Sequence, residues 1–174
     1  MLNKRILPSE ISQVIAELNN EFPDIVFGGS IALNVVGLIN RTIGDIDIFI
    51  PENHQILSSK YVKDYKAKDV ENFSFEENTC TRTGIYINDI KVCIFEVSNL
   101  DQLQCSKYSF NDSTINIQNV NHCIIAKTKY LKQKFCVSRE KHVKDLQQIN
   151  SWLGNSDDLE QITDWLETSD DCPF

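Results

Sequence analysis

The chain has 174 residues and a mass near 20.0 kDa, with 41% apolar and 24% charged residues, which gives room for one domain with a real core and excludes wholesale disorder. The formal charge of −8 looks hostile to nucleic acid, yet residues 155–174 hold seven of the 25 acids and no Lys or Arg. The rest carries 18 acids against 17 bases, so the body is nearly neutral and a nucleotide or RNA partner is not excluded.

Ser9 and Glu10 open a first helix in which Ile11, Val14, Ile15 and Leu18 recur at helical spacing, and Glu21-Phe-Pro23 ends it. Ile25–Phe27 reads as a short strand running into Gly28-Gly29-Ser30, and Ser30 is expected to cap a helix over Ile31–Val36. Gly44–Ile50 alternates as a strand that Pro51 stops. A short helix is expected near 53–60 and a strand over Phe73–Glu77. Ile85–Ile87 and Ile90–Val97 form a hairpin through the turn pair Asn88-Asp89. Thr114–Val120 is β-like, Cys123–Phe135 and Arg139–Leu153 read as helices, and Asp158–Leu166 as a terminal amphipathic helix. The pattern is α+β: a mixed sheet flanked by helices, with more helices gathered at the C-terminus. The division expected is one domain over residues 1–154 and an acidic helix or tail over 155–174.

No apolar run is long enough to cross a bilayer and no signal-peptide pattern follows Met1, so a soluble, cytoplasmic protein is expected. The six cysteines lack C-x2-C and C-x4-C spacing, which argues against a zinc ribbon, and Cys93 and Cys123 read as small core residues. His54, His122 and His142 are scattered.

The informative residues are Gly28-Gly29-Ser30 followed by Asp45-Ile46-Asp47. The glycines permit a tight strand-to-helix turn, and Ser30 with the backbone N–H groups after it suits a phosphate. Asp45 and Asp47, two apart on a strand, point to one face, while Ile46, Ile48 and Ile50 point to the other. Two carboxylates aimed together repel unless a cation sits between them, and hard oxygen ligands of this kind suit Mg2+ with a substrate's phosphates. A third carboxylate from a neighbouring strand is expected for two-metal phosphoryl chemistry. Glu96 interrupts an apolar strand and is the best candidate; Asp89, in the hairpin turn, is its rival.

These motifs resemble the nucleotidyltransferase superfamily related to DNA polymerase beta, and within it the small bacterial Gly-Gly-x-Ala-Leu…Asp-x-Asp group that includes the AbiEii-type toxins. The resemblance rests on Gly29-Ser30, Asp45-x-Asp47 and Glu96. It extends to Ile124-Ile-Ala-Lys127 and to Lys144-Asp145-Leu-Gln-Gln-Ile149, covering roughly residues 24–153 at motif strength. It implies transfer of a nucleoside monophosphate from an NTP, ATP among them, to an acceptor hydroxyl on tRNA, protein or a small molecule. Asp45, Asp47 and Glu96 would hold two Mg2+ ions. Gly28, Gly29 and Ser30 would grip the outer phosphates, Arg41 and Lys127 would contact phosphate or acceptor, and Asp145 would orient Lys127 or another basic residue. A toxin-like role, with an antitoxin partner or a second copy of the chain, follows from the same resemblance. The alternative is a catalytically degenerate nucleotide- or protein-binding member of that fold. Seven bases between Lys127 and Lys144 form either a solvated face or an attractor for triphosphate or RNA.

Overall fold

A computed structural model describes residues 7–63, 70–75, 78–132 and 139–153. The chain divides into two compact units, Met1–Cys123 and Ile124–Phe174. The expected terminal helix over 158–166 and the acidic segment 155–174 lie outside the described residues.

The first unit opens with helix α1 (Ser9–Glu21), which buries Ile11, Val14, Ile15 and Leu18 on one face. Strand β1 (Val26–Phe27) leads into helix α2 (Gly29–Val35), and β2 (Asp45–Pro51) follows. A 3-10 turn over Gln55–Ser58 and one α-turn, α3 (Lys60–Lys63), replace the single helix expected near 53–60. The His54 ring favours the tighter turn: its Nδ1 accepts the Ile56 N–H at 3.2 Å, and its Nε2 lies 3.1 Å from Asp24. Strands β3 (Val70–Phe75), β4 (Asn78–Ile87) and β5 (Ile90–Val97) form a meander. Asn88 and Asp89 both adopt left-handed φ values, 49° and 63°, as a two-residue hairpin turn requires. A second hairpin, β6 (Ser106–Phe110) and β7 (Ser113–Ile117), turns through Asn111 at φ 51°. The strand expected over Thr114–Val120 is therefore β7, and helix α4 (Val120–Leu131) starts three residues before the expected Cys123.

The seven strands of the described residues form one mixed sheet in the order β3-β4-β5-β2-β1-β7-β6. β2 is central. It pairs antiparallel with β1 and parallel with β5, which sets Asp45, Asp47 and Phe49 beside Lys91, Cys93 and Phe95. Ile46, Ile48 and Ile50 are fully buried on the opposite face, and each contributes about 1.5–3 kcal/mol by leaving water. The aspartate face is apolar further along the strands. There Phe49 stacks on Phe95 with centroids 5.0 Å apart, joined by Val26, Val97 and Leu103. The carboxylates thus stand on a strand anchored on both sides.

The second unit contains most of α4 and helix α5 (Arg139–Leu153), whose limits match those expected. Leu131, Leu146 and Ile149 are buried, and Arg139 donates to the Leu131 carbonyl at 2.8 Å, satisfying an orphan acceptor at the end of α4. Among the described residues no helix is long and apolar enough to cross a membrane.

Candidate metal centre

The turn that precedes α2 shapes the site. The residue flanking the helix is Gly28, not Ser30, which lies inside the first helical turn and is buried. Its hydroxyl accepts a hydrogen bond from Arg41 Nη2 at 2.8 Å, and Arg41 also donates to the Thr42 carbonyl. The chain makes this sharp turn because Gly29 takes a φ of 53°, where an L side chain is strained. The Gly28 N–H donates to the Asp47 carbonyl at 2.9 Å, and a β-carbon on Gly29 would lie only 2.3 Å from Asp47 Oδ2. A β-carbon on Gly28 would lie 2.2 Å from the Phe49 ring and 2.7 Å from Gln118 Oε1. Both glycines are therefore cradle residues: the backbone comes this close to β2 because no side chain intervenes. Gln118, buried, closes the cradle by accepting the Gly29 N–H at 3.4 Å and the Cys123 thiol at 3.2 Å.

Asp45 and Asp47 share a face and are half-buried. Their carboxylate oxygens and Cys93 Sγ lie within 4.8 Å of one another. Glu96 does not join them. It stands in register with Ile50, so strand alternation turns it to the Ile46–Ile48–Ile50 face. This corrects the expectation of a third carboxylate at Glu96: the place beside Asp47 on the adjacent strand belongs to Cys93. Asp89 sits in the β4–β5 turn, exposed. Arg82 of β4 reaches Cys93 from the far side, its Nη2 donating to Sγ at 3.6 Å. Burial pushes the Cys93 thiol above its ordinary range and the Asp47 charge adds to that rise, while the Arg82 charge and hydrogen bond oppose it.

Lys127 and Asp145 belong to the second unit. They form an ion pair there at 2.9 Å, both side chains buried, with His142 Nδ1 3.5 Å from the ammonium. Of the other bases between Lys127 and Lys144, Arg139 is spent on the Leu131 carbonyl and Lys144 on Glu140.

The donor set can be tested against the Mg2+ that the sequence reading called for. Two carboxylates on one strand face, one of them pressed against a glycine cradle, fit a hard divalent cation. The third donor does not: Mg2+ takes oxygen, and Cys93 offers sulfur. The sequence places Cys93 in the core, which its burial supports, but its chemistry depends on pairing with β2. Gln118 carries no motif signal at all.

No family model matches the chain, and no curated protein matches it. Solved structures do. The chain is similar to a candidate nucleotidyltransferase from Thermotoga maritima, at 17% identity over 86% of this chain and 96% of that one, with a TM-score of 0.58. It is similar to an antigenic nucleotidyltransferase-like protein from Paracoccidioides brasiliensis, at 15% identity over 84% of this chain and 78% of that one, with a TM-score of 0.50. At such identities the likeness is one of fold, and the fold is nucleotidyltransferase-like, α+β.

Proposed function

We propose that the chain is a divalent-metal-dependent nucleotidyltransferase that moves a nucleoside monophosphate from an NTP to an acceptor hydroxyl. One observation carries this reading: on a nucleotidyltransferase-like sheet, Asp45 and Asp47 stand together on β2 with the Gly28-Gly29 turn packed against Asp47. Asp45 and Asp47 would hold the cation, which when bound neutralises triphosphate charge and polarises the α-phosphorus. The acceptor oxygen would give up its proton to water and form the new bond to that phosphorus as the bond to the departing pyrophosphate breaks. Arg41, tied to the Ser30 hydroxyl, supplies positive charge near the glycine turn and would meet the outer phosphates. The buried isoleucines on the back of β2 hold both carboxylates in place, so little reorganisation is needed on substrate binding.

A second reading, a binder of the same fold without catalysis, is favoured by Cys93 and Arg82. The guanidinium beside the cluster offsets carboxylate charge without a cation. The deciding experiment supplies each α-labelled NTP, with Mg2+, Mn2+, Co2+ and Zn2+ in separate reactions, to total RNA and total protein from a bacterial lysate. Label deposited by the wild type and not by Asp45→Asn establishes transfer and identifies the acceptor as RNA or protein. NTP binding without label supports the second reading.

A further inference from the structure

We propose that the Asp45–Asp47–Cys93 cluster selects a borderline-soft divalent cation of the Zn2+ and Co2+ type over Mg2+, with Cys93 Sγ as a ligand. The inference deepens the metal-dependent reading above and rests on it.

The argument starts from register. β2 and β5 run parallel with Asp47 opposite Cys93, so the two side chains share a face and adjoin. Their donor atoms, with that of Asp45, span at most 4.8 Å. Ligands at about 2.0–2.3 Å from one tetrahedral ion lie about 3.3–3.8 Å apart, so the three donors draw together by up to about 1–1.5 Å to share one cation. The donor set then decides which cation. Mg2+ holds oxygen ligands in a near-ideal octahedron and gives up water reluctantly, so a sulfur in the cluster adds nothing to its binding and removes an oxygen site. Zn2+ and Co2+ gain from the same sulfur, and they stand above Mn2+ in general affinity for mixed nitrogen, oxygen and sulfur sites.

Arg82 donates to the sulfur from β4, orienting it as a partner outside the coordination sphere orients a ligand. Three protein donors converge among the described residues, a set that leaves coordination positions for water and phosphate oxygens.

The test uses Co2+ as probe on the full chain. Titration with Co2+ should produce a near-ultraviolet sulfur-to-cobalt charge-transfer band. Cys93→Ser should abolish it, while Cys105→Ser and Cys123→Ser should retain it. Zn2+ should erase the band at stoichiometric addition, and Mg2+ should not do so even in large excess. Cys93→Asp should remove the band and tighten Mg2+ binding, followed by calorimetry, by about tenfold or more. Co2+ binding that requires Asp45 yet shows no sulfur band overturns the role of Cys93 and leaves the aspartate metal site standing. So does Mg2+ binding equally tight in wild type and Cys93→Asp. Absence of any bound cation in wild type and in Cys93→Asp, with both folded by circular dichroism, overturns this proposal and the metal-dependent reading together.

Discussion

Replacing Gly29 by alanine tests the cradle directly. At φ 53° a β-carbon costs about 1–2 kcal/mol in backbone strain alone. Its contact with Asp47 Oδ2, at 2.3 Å, lies well below the 3.0 Å that real β-carbons respect, so the carboxylate must retreat by about 0.7 Å or the turn must open. A displacement of that order at a reacting centre costs about 10²-fold in rate. Urea denaturation should therefore show a loss of about 1–2 kcal/mol, a fall of about 2–8 °C in melting temperature. Divalent-cation affinity and nucleotidyl transfer should fall much further than stability does. Gly44→Ala is the control: a β-carbon there meets nothing within 4 Å, and a compatible glycine-to-alanine change is neutral or stabilises by up to about 1 kcal/mol. If Gly29→Ala binds cation and transfers label like wild type, the Asp47 carboxylate is not held by the turn, and the site as built here is wrong.

Glu96→Gln should leave nucleotidyl transfer within the same order of magnitude, because Glu96 shares a face with Ile50 and not with Asp47; a loss of several orders would place it back in the reaction. Asp145→Ala takes the carboxylate partner from the buried Lys127 ammonium and should destabilise its surroundings by about 3–5 kcal/mol. Amide exchange in α5 should then accelerate by about 10²–10⁴-fold; acceleration of less than tenfold would mean that the pair is not held out of water. If the activity is toxin-like, expression in a bacterial host should arrest growth and Asp45→Asn should relieve the arrest; equal growth with both removes that role.

The aspartate pair was legible because it needs only one strand. Alternation along Asp45–Ile50 fixes which side chains share a face, whatever the strand pairs with. The third position was not legible for the complementary reason. Whether residue 93 or residue 96 faces Asp47 depends on the register between β2 and β5, and a slip of one residue exchanges the two faces of a strand. β6 escaped notice because Ser106–Ser109 are all exposed on an edge strand, so burial imprints no alternation on them. The cap expected at Ser30 falls two residues earlier, at Gly28, because the signal for a polar cap competes with a stricter need: only glycine at 28 clears the Phe49 ring. The helices α1 and α5 were legible nearly to the residue, since each carries its apolar stripe within its own sequence.

Cys93 also explains how the cluster survives without a cation. Three carboxylates converging in that corner would repel, and one would have to take a proton or be pushed into solvent. A thiol at the third position can stay neutral in the empty site and needs no counter-charge, which is consistent with its burial. The substitution therefore exchanges affinity for a hard cation against stability of the empty site. Cys93→Asp should reverse that exchange: it should melt at a lower temperature than wild type in chelator and recover more on addition of Mg2+, because a ligand that binds only the folded state stabilises it in proportion to the logarithm of its saturation. Equal melting temperatures for the two proteins in chelator would show that Cys93 relieves no repulsion. Its place beside Asp47 would then be a packing choice alone.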